Sequence, residues 1–240
     1  MGRIEAVIFD WGGTLSHWVT DDRLPDLWRR AATHLEPEQV DEMVASLIAA
    51  EQSVWADVRV AQKSGRLDEI VRAAAETREL ELAEEWFERA AADYLEGWEL
   101  ELHHKPDALP MLAALKSMGL KTGLLSNTHW PRSFHESVLE RDGLLDLLDA
   151  RVYTSDLTHV KPHPLAFKAV LHEVGVGASH AVFVGDRAYD DIYGAQQLGM
   201  RTVLVRPSAE AEYPVTPDAV IDSLSELVTV IDGWKDDAHA

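Results

Sequence analysis

Four polar side chains in this sequence stand where predicted elements end, and their types are suited to one chemistry. Asp10, Ser126 and Asp186 each end an apolar run, and Lys161 lies in the loop 159–164. A carboxylate can attack phosphorus, while a hydroxyl and an ammonium can hold phosphoryl oxygens. Mg²⁺ binds well to a few carboxylates together with substrate phosphate and water. The residue types therefore indicate phosphoryl transfer assisted by Mg²⁺.

Each of these residues also has a purely structural interpretation when it is taken alone. An Asp at the end of a strand commonly caps a helix or forms a turn, and Ser126-Asn127 is typical of a helix cap. Lys161 before Pro162 is by default a solvated loop residue. The chemical interpretation is favoured by position, because ligands bind at the carboxyl ends of strands in open α/β sheets.

The elements that must bring these residues together alternate between strand and helix. The run 6–9 is short and apolar and stops at Gly12-Gly13, which is typical of a buried parallel strand. A helix opens at Leu109-Pro110-Met111-Leu112 and closes at Gly119. Further strands are predicted at 121–126, 150–154, 181–185 and 202–205, with helices between them. This alternation predicts an α/β fold, a doubly wound parallel sheet of the Rossmann-like kind with right-handed crossovers.

A block of helix-forming residues interrupts the alternation after the first strand. From about Asp21 to Trp98 apolar residues recur at helical spacing, as at Met43, Leu47 and Ile48. We expect four or five helices here and no strand. The predicted organisation is an all-helical cap domain, residues 18–99, inserted into an α/β core domain formed by residues 1–17 and 100–240.

Composition restricts the partners that this chain can have. The 42 acidic and 22 basic residues give a net charge of −20, which repels nucleic acid and anionic lipid headgroups. We expect neither partner, and an anionic small-molecule substrate would need a local basic pocket or a metal. The absence of cysteine excludes disulfides, thiolate zinc sites and thiol nucleophiles. Neither a signal-peptide pattern nor an apolar stretch of roughly 20 residues is present, so a cytoplasmic protein is expected.

Four segments of the sequence form a recognisable series. They are Asp10-Trp11-Gly12-Gly13-Thr14-Leu15, Leu124-Leu125-Ser126-Asn127, Lys161-Pro162-His163-Pro164, and the stretch 184–195, which contains Gly185-Asp186 and Asp190-Asp191. In this order they resemble the four motifs of the haloacid dehalogenase (HAD) superfamily. The helical insertion after the first motif is similar to the cap of the subgroup that holds phosphoglycolate phosphatases, β-phosphoglucomutases, phosphonatases and haloacid dehalogenases.

The resemblance implies a Mg²⁺-dependent hydrolase and a role for each motif residue. Asp10 would be the nucleophile that forms an aspartyl intermediate, and Ser126, Asn127 and Lys161 would bind the phosphoryl group. The implied metal ligands are Asp10, the backbone carbonyl of Gly12, and Asp186. Asp190 and Asp191 would orient metal-bound water, and Thr14 would support the first-motif loop at the substrate site. Beside these motifs, Trp11, Trp18 and Trp130 are predicted to enclose an apolar part of the substrate.

One position departs from the family pattern. Family phosphatases carry an Asp two residues after the nucleophile, which protonates the leaving group and later activates water, whereas this chain has Gly12. General acid–base catalysis is worth ~10²–10⁴ in rate. Three explanations stay open: a histidine (His17, His129 or His163) replaces the acid, the leaving group needs no proton, or the bond broken is not a phosphate ester.

Two other residues, Asp186 and Lys63, help to rank these explanations. Haloacid dehalogenases lack the metal-binding Asp of the fourth motif, which this chain keeps as Asp186. Phosphonatases have a similar first motif and use a cap lysine, but the one lysine of the cap, Lys63, lies in a sequence typical of an exposed turn. We therefore expect hydrolysis of a phosphate ester or acyl phosphate first, and cleavage of a phosphonate or another C–X bond second. A catalytically weak or silent binding protein is the alternative from another class.

Overall fold

A six-stranded parallel sheet forms the centre of the computed structural model, which describes residues 3–19, 21–206 and 213–237. The strand order is β3-β2-β1-β4-β5-β6. The strands are β1 (Ala6–Phe9), β2 (Lys121–Ser126), β3 (Ala150–Tyr153), β4 (Ala181–Gly185), β5 (Arg201–Val205) and β6 (Ala219–Ile221). The predicted α/β class is confirmed, since helices cover both faces of this sheet.

The first strand is central because its residues can be buried on both faces. All four side chains of β1, Ala-Val-Ile-Phe, are fully buried, which is typical of a parallel strand between two layers of helices. β1 pairs with β2 on one side and with β4 on the other. The chain therefore runs outward from β1 to β3 on one side and then returns to β4 on the other side. The point between β1 and β4 is where ligands bind in sheets of this topology.

The helices fall into two groups. The first group, between β1 and β2, consists of α1 (Leu24–Leu35), α2 (Val40–Ala61), α3 (Leu67–Thr77) and α4 (Glu84–Glu101). The second group consists of α5 (Ala108–Ser117), α6 (Arg132–Arg141), α7 (Pro164–Val174), the short α8 (Gly194–Gln196) and α9 (Leu227–Asp237). α5, α6 and α9 pack on one face of the sheet, and α7 and α8 pack on the other.

The four helices of the first group bury a hydrophobic core of their own. Its centre is Trp28, stacked on Tyr94 with ring centroids 3.8 Å apart, and both side chains are fully buried. The number of helices agrees with the sequence-based expectation of four or five. The exact domain limits at residues 17/18 and 99/100 stay a prediction.

Backbone hydrogen bonds join the loop between α2 and α3 to the core. The N–H of Val160 donates to the carbonyl of Gln62 over 3.0 Å, and the N–H of Leu67 donates to the carbonyl of His129 over 2.8 Å. Gln62 ends α2 in the left-handed conformation, with φ of 53°, which turns the chain toward the core. The helical block is thereby bound to the loops that follow β2 and precede α7.

The predicted strands agree with the structure to within a residue, and one strand was missed. β6 has only three residues and sits at the sheet edge, next to β5. Its sequence, Ala-Val-Ile, is too short to show a periodic pattern of its own. In the described ranges, no helix has both the length and the apolar character needed to cross a membrane.

Candidate active site

Asp10 and Asp186 lie at the carboxyl ends of the two neighbouring strands β1 and β4. The register pairs Phe9 with Val184, and the backbone N–H of Asp10 donates to the carbonyl of Val184 over 2.9 Å. Both carboxylates are nearly buried, with 7% and 4% of each residue exposed. The sheet topology therefore places two buried carboxylates side by side at the point where the strand order reverses.

Lys161 reaches the same place from the loop before α7. That loop is held by Asn127, whose side-chain oxygen accepts from the Lys161 N–H over 2.8 Å and whose side-chain nitrogen donates to the Lys161 carbonyl over 3.0 Å. α7 begins directly afterwards at Pro164, a residue suited to the first turn of a helix. The backbone of Lys161 is thus fixed between β2 and α7. The Asn127 side chain thus positions Lys161 through two hydrogen bonds, and its contact with the phosphoryl group stays a prediction.

The ammonium group of Lys161 bridges two carboxylates. Its Nζ donates to Oδ1 of Asp10 over 2.6 Å and to Oδ1 of Asp191 over 2.7 Å. The second oxygen of Asp191 accepts from the backbone N–H of Arg187 over 3.0 Å. All three side chains in this bridge are at least nine-tenths buried, so the ion pairs are little screened by solvent.

The negative charge of this cluster exceeds the positive charge that Lys161 supplies. Burial raises the pKa of the Asp10 carboxyl, although the Lys161 ammonium opposes the rise. Burial and the nearby Asp10 and Asp191 carboxylates raise the pKa of Asp186 to about 7. Burial lowers the pKa of Lys161, but the two carboxylates outweigh that effect and hold it above its usual value. A further cation in the cluster would therefore be stabilised.

The cluster fits a divalent metal ion. Asp10, Asp186 and Asp191 each offer a carboxylate oxygen, and these three atoms lie within 4.8 Å of one another. Oδ1 of Asp186 is buried and has no hydrogen-bond partner among the described residues. A buried carboxylate oxygen without a partner is costly unless it binds a cation. Oxygen ligands of this kind, together with water and phosphate, suit Mg²⁺.

Three other predicted residues of the site are near these carboxylates in the fold. Ser126 is buried at the end of β2, at the same sheet edge as Asp10, because the register pairs Phe9 with Leu124. Thr14 is fully buried, and its hydroxyl has no hydrogen-bond partner among the described residues. Gly12 lies in the loop that follows β1. Ser126 therefore lies at the sheet edge that holds the carboxylates, whereas the Thr14 hydroxyl is enclosed by the protein.

Asp190 and Asp191 are adjacent in sequence, but their side chains have different surroundings. Asp191 is fully buried in the bridge with Lys161, whereas Asp190 pairs with Nη1 of Arg187 over 3.5 Å and is partly exposed. The cluster of possible metal ligands includes Asp191 and not Asp190. The geometry therefore favours Asp191 for the role that the family resemblance implies for both residues.

The structure does not place Trp11 at a substrate surface. Its ring is 3% exposed, its Nε1 donates to Nε2 of His104 over 2.8 Å, and it packs on His135. Trp130 is partly buried between Trp11 and the cap residue Trp98. Trp11 is therefore a core residue, since its ring is enclosed by His104, His135 and Trp130. Trp130 links core and cap.

The structure argues against one of the three histidines considered as replacement acids, and the other two stay open. The ring of His129 is buried, neither ring nitrogen has a hydrogen-bond partner among the described residues, and burial lowers its pKa to about 3. His163 accepts a hydrogen bond from the N–H of Leu165 at the start of α7, and its pKa is lowered, first by burial. His17 is exposed. The low pKa of the His129 imidazole keeps it neutral near neutral pH, so His129 cannot donate a proton there.

Lys105 was missed in the sequence, and Trp18 was predicted only as an aromatic residue beside the substrate, not as a partner of Asp186. Nε1 of Trp18 donates to Oδ2 of Asp186 over 2.9 Å. Nζ of Lys105 donates to the carbonyl of Gly13 over 2.5 Å, and its pKa, lowered by burial, is raised in part by Asp186 and Asp10. Both residues lie on the two chain segments that connect the helical block to the core. Trp18 lies three residues after the first motif, but nothing in the sequence indicates its hydrogen bond to Asp186, and Lys105 lies outside the four motifs.

Comparison with known proteins agrees with this architecture. The family model of the haloacid dehalogenase-like hydrolases matches residues 4–199. A solved HAD phosphatase from Thermococcus onnurineus is 25% identical, with a TM-score of 0.64 over 96% of this chain and 99% of the other. A 2-haloacid dehalogenase from Pseudomonas syringae is 26% identical, with a TM-score of 0.70 over 97% of this chain and 100% of the other.

A curated relative gives a narrower comparison. The glyceraldehyde 3-phosphate phosphatase of Pyrococcus furiosus is 36% identical over 136 residues, which is 55% of this chain and 55% of the relative. The chain thus matches about half the length of the curated relatives. Fold, site geometry and family model together define an α/β hydrolase with a buried carboxylate–lysine cluster. The chain belongs to the haloacid dehalogenase-like hydrolase family.

Proposed function

We propose that this protein is a Mg²⁺-dependent hydrolase of small phosphorylated metabolites that works through an aspartyl-phosphate intermediate on Asp10. The observation that carries the proposal is the contact of 2.6 Å between the Asp10 carboxylate and the Lys161 ammonium, beside the unpartnered oxygen of Asp186. This arrangement combines a carboxylate nucleophile, a cation for phosphoryl oxygens and a metal ligand in one buried place.

Each residue of the site has its own role in the proposed reaction. Asp10 attacks phosphorus, so the bond from phosphorus to the leaving-group oxygen breaks as the bond to the Asp10 carboxylate forms. The leaving group departs as its anion, and water then attacks the aspartyl phosphate, which releases phosphate and restores Asp10. Lys161 and the hydroxyl of Ser126 bind phosphoryl oxygens, while Asn127 keeps the Lys161 backbone in place. Mg²⁺ held by Asp10, Asp186 and the carbonyl of Gly12 would neutralise charge on the phosphoryl group. Asp191 holds the Lys161 ammonium from the other side.

The local charge explains how an acidic protein could accept an anionic substrate. The whole chain carries a net charge of −20. At the site, Lys161 is buried with the carboxylates and the half-buried Lys105 lies close to them. Together with Mg²⁺, these two ammonium groups would offset the repulsion of a phosphate dianion.

The missing acid at residue 12 favours substrates with a stable leaving group. Gly12 cannot donate a proton, and the buried His129, with its pKa lowered to about 3, cannot replace it near neutral pH. An acyl or aryl phosphate releases an oxygen that is stable as an anion. We therefore propose that such substrates are hydrolysed faster than alkyl phosphates, for which the missing acid costs ~10²–10⁴ in rate.

Phosphonate cleavage is the weaker alternative. The side chain of Lys63 is exposed, and its backbone pairs with that of His159 at the junction between the α2–α3 loop and the core. Lys63 has no contact with the carboxylate cluster among the described residues. A silent binding protein is also less well supported, because the chain keeps the carboxylates, hydroxyl and ammonium of all four motifs; metal binding without turnover would favour it.

The test is a substrate screen with the wild type and the Asp10→Asn variant. Acyl, aryl and alkyl phosphates, including glyceraldehyde 3-phosphate, and phosphonoacetaldehyde would be assayed with Mg²⁺ and in excess chelator. We expect Mg²⁺-dependent release of phosphate by the wild type, and none by Asp10→Asn, because an amide cannot serve as the attacking carboxylate. Undiminished turnover by Asp10→Asn would refute the proposal, as would full wild-type activity in chelator.

A further inference from the structure

The indole of Trp18 covers the loop after β1 and is bound directly to the Asp186 carboxylate. Its Nε1–H donates to Oδ2 of Asp186 over 2.9 Å, across 168 positions of sequence. The guanidinium carbon of Arg187 lies 4.9 Å from the centre of the indole ring. The residue remains 52% exposed. Trp18 is therefore held against the acidic loop after β4, although it belongs to the segment between the first strand and the helical block.

The two glycines of the loop make room for this indole. A Cβ atom on Gly13 would lie 2.2 Å from Nε1 of Trp18 and 2.3 Å from Oδ2 of Asp186, so any side chain there would break the hydrogen bond. Gly13 also has φ of 80°, which L-residues rarely adopt. A Cβ atom on Gly12 would lie 3.3 Å from the far edge of the ring. The space next to residue 12 is thus occupied by Trp18.

The hydrogen bond makes the two oxygens of Asp186 different. Oδ2 is engaged by the indole N–H, whereas Oδ1 is buried with no hydrogen-bond partner among the described residues. A carboxylate fixed through one oxygen presents the other in a constant direction. Partners of this kind orient metal ligands, and their loss typically costs 10–100-fold in metal affinity.

We propose that Trp18 is a positioning residue for Asp186, and that its indole N–H fixes the carboxylate so that the free oxygen binds the metal ion. The same indole fills the space into which a side chain at residue 12 would project. The two residues depend on each other. Glycine at residue 12 lacks the carboxyl group of the family acid and leaves room for the Trp18 indole, and the indole orients Asp186. This inference rests on the proposed metal-dependent function.

The experiment measures metal binding without substrate. Mg²⁺ binding would be followed by titration calorimetry and Mn²⁺ binding by electron paramagnetic resonance, for the wild type and Trp18→Phe. We expect Trp18→Phe to raise the Kd of both ions by ~10–100-fold, because phenylalanine keeps a ring but has no N–H. The matched control is Trp86→Phe, which also removes an indole that stacks on an arginine, Arg89, but on helix α4 of the cap. Its Kd should equal that of the wild type.

A second replacement separates the N–H group from ring packing. Incorporating the benzothiophene analogue of tryptophan at position 18 keeps the shape of the ring and removes only the donor. We expect this protein to melt at the wild-type temperature and to bind Mg²⁺ as weakly as Trp18→Phe does. Wild-type metal affinity in either Trp18 replacement would overturn the inference and leave the proposed function standing. A wild type that binds neither ion would overturn the inference together with the metal requirement of the proposed function.

Discussion

The ammonium of Lys161 lies between the carboxylates of Asp10 and Asp191, 2.6 Å from one and 2.7 Å from the other. Lys161 is 2% exposed, and Asp191 is fully buried. One cation thus holds the proposed nucleophile, at the end of β1, against the acidic loop after β4. The bridge is both a part of the proposed reaction and a part of the fold, and the two contributions can be measured separately.

Replacing Lys161 by methionine should destabilise the protein. The change leaves two buried carboxylates without their cation, and breaking a buried pair in this way costs about 3–5 kcal/mol. Urea denaturation measures the loss of unfolding free energy. The control is Lys168→Met on the exposed side of α7, which should change stability little. Adding Asp10→Asn to Lys161→Met should recover part of the lost unfolding free energy, because it removes one of the uncompensated charges. If the losses of the two single variants simply add in the double variant, Asp10 and Lys161 do not form the proposed ion pair.

Asp190 and Asp191 allow a comparison between neighbouring residues. We expect Asp191→Asn to lower kcat by ~10–100-fold, since the amide weakens the hold on Lys161 and takes a carboxylate from the cluster. Asp190→Asn should have little effect, because the Asp190 side chain pairs with Arg187 outside the cluster. Steady-state kinetics at saturating Mg²⁺ measures both variants. Equal losses of kcat in the two variants would show that both carboxylates act in catalysis, contrary to the different surroundings of Asp190 and Asp191 in the structure.

Protonation of the buried His129 should link stability to pH. Burial lowers its pKa from 6.5 to about 3, so between these values the unfolded chain binds a proton that the native state does not. The stability contributed by neutral His129 is complete above pH 6.5 and is lost as the pH falls toward 3. The pH-dependent contributions of all other titrating groups cancel when the unfolding free energy of a variant without His129 is subtracted from that of the wild type.

The measurement compares the wild type with His129→Asn by urea denaturation at several pH values. The difference in unfolding free energy, wild type minus variant, should fall by about 1.4 kcal/mol per pH unit between about pH 6 and pH 4. A flat difference for His129→Asn would mean that its imidazole is protonated in the native state, beside the Glu51 carboxylate 3.6 Å away.

Strand ends were predictable from this sequence, but the direction of side chains was not. Apolar runs bounded by polar residues located β1, β2 and β4, and parallel topology then required Asp10 and Asp186 to meet. The sequence does not show that Trp11 turns into the core, since any aromatic residue after a strand can face either way. These orientations follow from packing of the whole core.

The contacts between core and cap were also beyond the sequence. Trp18 and Lys105 approach the carboxylates only because the helical block returns to the core at two neighbouring segments. The resemblance to the family gave the motif residues and nothing about the connecting segments. Asn127 illustrates the same limit, because its role as a clamp on Lys161 depends on how the loop before α7 closes.

Restoring the family acid by Gly12→Asp alone should have little effect on catalysis. A Cβ atom at residue 12 would already lie 3.3 Å from the Trp18 ring, and a carboxylate would have to displace that ring. The double variant Gly12→Asp/Trp18→Ala removes the obstacle. At Mg²⁺ concentrations that saturate each protein, we expect the double variant to hydrolyse alkyl phosphates faster than Trp18→Ala does, by up to ~10²–10⁴.

The dependence of kcat/KM on leaving-group pKa distinguishes the causes. For the wild type and Gly12→Asp, log(kcat/KM) should fall steeply as the leaving-group pKa rises, because no acid protonates the departing oxygen. For the double variant the slope should become shallow, since the carboxyl group introduced at residue 12 would supply the proton. A shallow wild-type slope would mean that a donor is already present. A full gain in the single variant would mean that the Trp18 ring yields to a side chain at residue 12, and that glycine at this position is not required by the indole.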